Sequence, residues 1–139
     1  MAEAASKGGA KGVVILPVSG VKRFFEEGER LLKAGDVVQA CEKIYKAAED
    51  AVKVLVKTHA PEIYRDVESR GRWSVGLLDK GVRNLERELG EDVSHGWAEA
   101  WYLHVEGFHE ERLKPDAVWW RLKHVKRLVE LASNLNLEP

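Results

Sequence analysis

The chain has 139 residues, of which 45% are hydrophobic and 32% are charged, and its formal net charge is −1. This length fits one domain with a short tail, and the near-neutral charge excludes a globally basic nucleic-acid coat protein. The single cysteine, Cys41, excludes an internal disulfide and a cysteine-rich zinc site, and it is interpreted as a small buried apolar residue. No apolar run approaches the roughly 20 residues of a membrane span, so we expect a cytoplasmic protein without membrane contact.

The residue usage is also typical of proteins from hot environments. Glutamine and methionine occur once each, at Gln39 and Met1, whereas Glu, Lys and Arg supply most of the charge. Ion pairs cost less to desolvate at high temperature, and amides and thioethers are chemically labile there. We therefore expect a thermophilic source.

Two regions are predicted, a flexible tail with an extended segment over residues 1–18 and a helical bundle over residues 19–139. Residues 1–12 carry no large apolar side chain apart from Met1, so they bury too little surface to offset the entropy of ordering. Pro17 argues against a helix in the segment Val13–Val18, which either lies across the bundle or remains a free tail.

The first two helices are predicted from caps and apolar spacing. Ser19 can cap the first helix, Gly35 ends it, and Asp36 caps the second helix over Val37–Thr58. The predicted core face of the first helix consists of Phe24, Gly28, Leu31 and Leu32. The apolar arc of the second helix covers about half of the helical wheel, wider than the ~100° of a surface helix, so we place it at the centre.

The spacing of apolar residues predicts helices in the rest of the chain as well. A short helix is predicted over Glu62–Ser69, with a joint at Gly71, followed by a third long helix from about Arg72 to Leu89. Gly90 ends that helix, and a fourth runs from about Ser94 to Leu113. Asp116 lies near the start of a fifth helix, whose apolar stripe is Val118, Leu122, Val125, Val129 and Ala132. The predicted fold class is an all-α, up-and-down bundle of four to five helices.

The fourth helix contains the first candidate site, because a histidine lies inside its aromatic stripe. The stripe consists of Trp97, Trp101, His104 and Phe108. One interpretation is a structural His104, bonded to a backbone carbonyl or to a tyrosine such as Tyr45. The other is a catalytic or ligand-binding His104, with Trp97 and Trp101 lining a pocket between helices.

His109 is the second catalytic candidate, and it follows His104 by five residues. In an α-helix a five-residue step does not align two ligands, so we predict neither a metal site nor a cofactor. Glu99, Glu106 and Glu110 are interpreted as a solvated acidic face.

The fifth helix contains basic residues interleaved with aromatic ones, which is the composition of a nucleic-acid surface. Its candidate contacts to RNA are Arg121, Lys123, His124 and Arg127. Trp120 falls almost opposite the core stripe, so it needs a second subunit, the N-terminal segment or a nucleotide base as partner. Trp73 and Leu77 likewise lie away from the apolar stripe of the third long helix. We predict a homodimer with contact candidates Trp73, Leu77, Trp120 and Leu131.

Three segments resemble the archaeal PaREP family, and their order and spacing match over about residues 20–132. The segments are the Gly35–Glu49 stretch, Arg70–Val75 and Leu103–Glu110, of which the last is the most specific. The PaREP family is similar to the HEPN superfamily of four-helix bundles, and this similarity implies the architecture expected from periodicity.

The HEPN resemblance also implies functions. Members of that superfamily often dimerise, and many are metal-independent ribonucleases or partners of minimal nucleotidyltransferases in toxin–antitoxin pairs. The nuclease members carry an Arg followed by a His after four to six residues. Here the nearest pair, Arg87 and His95, has seven intervening residues. We therefore predict a non-enzymatic interaction module, with an RNA-binding protein or a ribonuclease of a toxin–antitoxin-like system as the alternative.

Overall fold

The computed structural model describes residues 20–135, so the predictions for residues 1–18, for the Ser19 cap and for the residues after 135 lie outside it. Within this range the chain forms six α-helices and one π-helix, and no β-strand. The elements are α1 (Gly20–Lys33), α2 (Val37–His59), α3 (Pro61–Arg70), α4 (Val75–Leu89), α5 (Glu91–Tyr102), the π-helix (Leu103–His109) and α6 (Pro115–Leu135). The all-α prediction is confirmed, whereas the predicted count of four to five helices is too low. None of the helices in residues 20–135 is both long and apolar enough to cross a membrane.

The turn between α1 and α2 forms as the sequence predicts. Gly35 adopts a φ of 89°, a left-handed conformation that costs glycine little. The Asp36 side chain then accepts a hydrogen bond of 3.1 Å from the backbone N–H of Gln39, which satisfies one free donor at the start of α2.

The core face of α1 differs from the prediction at Phe24 and Leu31, which are only half-buried. Phe25 is buried, whereas Phe24 lies at the margin, where the Lys43 ammonium is 5.5 Å from its ring centre. Gly28 lets α1 approach α2 closely, because a Cβ at this position would lie 2.6 Å from Cγ1 of Ile44. The apolar side of α1 is thus centred on Val21, Phe25, Gly28 and Leu32.

Helix α2 occupies the centre of the bundle, as predicted, and contacts α1, α3, α4, α5, α6 and the π-helix. One of its buried residues is charged. Asp50 is 1% exposed, no hydrogen bond reaches its carboxylate, and the Lys46 ammonium lies 3.7 Å away. Burial raises the pKa of Asp50 to about 6, and the nearby Lys46 and Lys53 only partly oppose this rise.

The connection between α3 and α4 changes the placement of Trp73 and Leu77, two of the predicted dimer contacts. Gly71 caps α3 with a φ of 76°, and the Ser74 hydroxyl accepts from the backbone N–H of Leu77, so α4 begins at Val75 rather than near Arg72. Trp73 therefore lies in the turn, half-buried against the core, with its ring centre 6.5 Å from that of Tyr64. Leu77 is only 5% exposed. Leu77 is therefore a core residue and Trp73 is partly covered, so the two do not form the uncovered patch that the sequence predicts.

Helix α6 buries the stripe predicted for it, namely Val118, Leu122, Val125, Val129 and Ala132. Leu131, the other contact candidate on this helix, packs half-buried against the core. Trp120 is 61% exposed, as its position on the helical wheel predicts.

Candidate functional site

The helix that begins at Glu91 changes its hydrogen-bond pattern midway, which the sequence did not predict. It is α-helical up to Tyr102 and then forms a π-helix from Leu103 to His109. The backbone N–H of Glu110 accordingly reaches back five residues and bonds the Val105 carbonyl at 2.9 Å. Short π-helices are rare, and they occur frequently at functional sites.

Gly107 places the π-helix against α2. A Cβ on Gly107 would overlap the Cys41 sulfur, so only glycine allows this approach. Cys41 is fully buried, as predicted, and burial raises the pKa of its thiol to about 11. This thiol is therefore protonated near neutral pH and serves in packing.

The π-helix brings His104 and His109 together, which corrects the interpretation of their spacing. Their Nε2 atoms lie 3.1 Å apart, and the ring centres are 4.5 Å apart with the planes almost perpendicular. A five-residue step separates two side chains on an α-helix but aligns them where the backbone hydrogen bonds span five residues. The two candidate histidines therefore form one site.

His104 contacts two residues of α2, the ring of Tyr45 and the carboxylate of Glu42. Its ring stacks on Tyr45 with centres 4.0 Å apart, and its Nδ1 lies 3.5 Å from Oε1 of Glu42. Burial lowers the pKa of His104, the neighbouring His109 lowers it further, and Glu42 opposes both effects. Tyr45 is thus the predicted neighbour of His104, but it contributes a stacked ring and not the expected hydrogen bond.

The predicted aromatic stripe is present and joins this site. Tyr45 also contacts Trp97 and Trp101, with ring centres 5.7 Å and 6.0 Å away. Beside the two tryptophans is an open cleft of about 430 Å³, lined by Val75, Gly76, Asp79, Trp97, Ala98 and Trp101. His104 does not line this cleft, so the cleft differs from the ligand pocket predicted to contain Trp97, Trp101 and His104 together.

The basic residues of α6 are engaged to different degrees. Arg121 is held by its neighbours: its Nε lies 3.0 Å from Glu99, its Nη1 donates to the Ala117 carbonyl, and its guanidinium lies 4.0 Å from the Tyr102 ring centre. These contacts leave Arg121 little freedom to bind a phosphate.

The other basic candidates of α6 are more open to solvent. Lys123 is exposed beside Trp120, and the exposed Arg127 lies 3.8 Å from Asp92. His124 is half-buried and meets His95 edge-on, with ring centres 5.9 Å apart.

The acidic residues of this region were only partly interpreted correctly. Glu110 is exposed, but Glu99 pairs with Arg121, and Glu106 binds Arg112 at 2.8 Å. Glu42 was missed as a site residue. Its position one helical turn before Tyr45, on the same side of α2, is the signal that would have found it.

The fold and site define an all-α bundle in which a π-helix pairs two histidines against an aromatic cluster. The sequence model of the archaeal PaREP1/PaREP8 family matches residues 17–129. The chain belongs to this family, so the PaREP resemblance is confirmed.

Two solved structures are similar to this chain. The crystal structure of a protein from Sulfolobus solfataricus is 42% identical, with a TM-score of 0.75, and the match covers 83% of this chain and 94% of that one. A solution structure of the same structural-genomics target is also 42% identical, with a TM-score of 0.72, and the match covers 83% of this chain and 89% of that one. No curated protein matches the chain.

Proposed function

We propose that this chain is a non-enzymatic binding module with a HEPN-related bundle, and that it works as a homodimer. The observation that supports dimerisation is the 61% exposure of Trp120 on α6. Trp119 and Tyr102 are also exposed, at 40% and 39%. Large aromatic side chains exposed in this way mark interaction surfaces. Apolar surface in contact with water is unfavourable, and a partner that buries this surface regains the free energy.

A second copy of the chain is the partner that fits this surface. The Arg121 guanidinium and the Lys123 ammonium lie 5.3 Å and 5.8 Å from the Trp120 ring centre, so the surface carries both cations and aromatic rings. A two-fold axis presents the same surface twice, so Trp120 of each copy is buried against the aromatic and cationic surface of the other. Trp, Tyr and Arg are also the residues enriched in the centres of interfaces.

Light scattering at micromolar concentration tests the proposed homodimer. The wild-type chain should have the mass of a dimer, and Trp120→Glu should have that of a monomer. Val75→Glu is the matched control, because Val75 is 57% exposed but lies on α4. It should remain dimeric. A monomeric wild type overturns the proposal, as does a dimer that Trp120→Glu leaves intact.

The absence of the HEPN nuclease motif supports a non-enzymatic role. In that chemistry an arginine stabilises the charge on the phosphorus centre while a histidine transfers protons, so both must meet in one cleft. RNA incubated with the chain in EDTA should therefore remain intact. Cleavage that His104→Ala abolishes in a folded protein would assign the ribonuclease function instead.

RNA binding is the second candidate function, and the exposed cations of α6 favour it. Lys123, Lys126 and Arg127 are all exposed on α6. Three phosphate contacts to a single strand give a slope of about −2 for log affinity against log salt. Lys123→Ala should reduce this slope, whereas Asp116→Ala on the same helix should not. A slope near zero excludes this function.

A further inference from the structure

The distance between the two imidazoles of the π-helix fits a shared metal ion. The Nε2 atoms of His104 and His109 are 3.1 Å apart. Zinc binds histidine nitrogen at about 2.0–2.1 Å, which places two such nitrogens about 2.9 Å apart at a right angle and about 3.3 Å apart at the tetrahedral angle. The observed separation lies between these two values.

Glu42 orients His104 for this role. Its Oε1 lies 3.5 Å from Nδ1 of His104, and both atoms are buried without a hydrogen-bond partner of their own. A carboxylate at Nδ1 favours the tautomer with the proton on that nitrogen, which leaves the lone pair of Nε2 directed at His109. Metal-bound histidines almost always donate their other ring N–H to an acceptor, and a carboxylate is one of the usual acceptors.

The surroundings leave access for a cation. The His104 side chain is 19% exposed and His109 lies at the surface. Within residues 20–135 no group of three or more His, Cys, Asp or Glu residues could hold a metal ion. Two imidazoles are therefore the protein ligands, one fewer than in catalytic zinc sites, and water or a small ligand completes the coordination.

We propose that His104 and His109 form a binding site for a divalent late first-row transition cation, coordinated through both Nε2 atoms. Zn²⁺ and Cu²⁺ are the cations that imidazole ligands suit, whereas Mg²⁺ prefers oxygen. Glu42 is a positioning residue that holds the His104 ring. The site does not depend on the proposed dimer surface, because that surface is centred on Trp120 of α6.

Isothermal titration of the tag-free full-length chain with Zn²⁺ at neutral pH tests the site. The wild type should bind one Zn²⁺ per chain, and His109→Gln should weaken binding at least tenfold. His95→Gln is the matched control, because His95 faces His124 with ring centres 5.9 Å apart and no hydrogen bond between them. It should bind Zn²⁺ as the wild type does. Mg²⁺ should give no binding.

Two further measurements separate coordination from a structural role. Cu²⁺ bound to the wild type should show two nitrogen ligands by electron paramagnetic resonance and should quench Trp101, whose ring centre is 5.4 Å from that of His104. Glu42→Gln should weaken Zn²⁺ binding by about 10–100-fold while the circular dichroism spectrum is kept. The proposal is overturned if wild type and His109→Gln bind Zn²⁺ equally, or if His95→Gln weakens binding as much. In that case the histidines form only a hydrogen-bonded pair.

Discussion

Gly107 on the π-helix packs directly on Cys41 of α2, with no room between them for a methyl group. This contact fixes the distance between the two elements, because the Cβ of Cys41 would lie 2.9 Å from a Cβ at position 107. The contact therefore sets where His104 meets Glu42 and Tyr45.

Gly107→Ala should destabilise the fold, since an extra methylene forced into a packed core costs about 1–3 kcal/mol. Urea denaturation measures this change. Gly76→Ala is the matched control, because a Cβ there meets only the Ser74 hydroxyl, at 3.9 Å. It should be neutral or stabilising, since alanine favours a helix. Equal effects at the two positions would show that the contact with Cys41 is unimportant.

The second prediction concerns pH and the buried Asp50. Its pKa is raised from 3.8 to about 6 in the folded chain, so between these values the native state holds a proton that the unfolded state releases. The free energy of unfolding therefore falls as pH rises through this range, by up to about 3 kcal/mol. Asp50→Asn should be more stable than the wild type at pH 7, and the difference should vanish below pH 4.

Urea denaturation at a series of pH values measures the Asp50 difference. The exposed Asp79 supplies the control, and Asp79→Asn should keep the pH dependence of the wild type. A stability difference between Asp50→Asn and the wild type that does not change with pH would contradict the prediction.

The third prediction separates two basic residues of α6. Arg121→Ala removes contacts to Glu99, Tyr102 and the Ala117 carbonyl, so it should lower the free energy of unfolding by about 1–3 kcal/mol. Lys123 is exposed, and Lys123→Ala should change stability by less than about 0.5 kcal/mol. Denaturant titrations followed by tryptophan fluorescence measure both. If Arg121→Ala were as mild as Lys123→Ala, the guanidinium would be free to bind other partners.

The fourth prediction concerns the reactivity of Cys41. The side chain is fully buried, and its thiol has a pKa raised to about 11. A thiol reagent at pH 8 should therefore modify the native chain only as fast as the chain opens, and the denatured chain at once. Absorbance of the released chromophore gives both rates. Rapid modification of the native chain would show that the π-helix does not cover Cys41.

The helices of the core could be predicted from the sequence because the dominant signals are local. Asp36 caps α2 and Gly35 adopts the left-handed turn, as the stop-and-start pair indicates. The stripe of α6 from Val118 to Ala132 is buried because the apolar period defines one face. The cap, the turn and the apolar period each depend on residues that are at most four positions apart in the sequence.

The errors came from features that local spacing does not determine. The π-helix depends on the fit of Gly107 against Cys41, a contact between residues 66 positions apart in the sequence. The apolar spacing predicts a helix that includes Trp73, but the Ser74 cap starts α4 after this residue. The basic and aromatic composition of α6 marks Arg121 as an RNA contact. Whether Arg121 is available to bind RNA depends on Glu99, which lies on another helix and pairs with it.

The π-helix also determines which length changes this region tolerates. Deleting Val105 would let the segment return to 3.6 residues per turn, and the two histidines would then stand four residues apart on an α-helix. A four-residue step keeps two side chains on one face of an α-helix, so the two imidazoles would remain neighbours. Relatives with one residue fewer between the two histidines should therefore keep the pairing on a regular α-helix, whereas one additional residue should separate them.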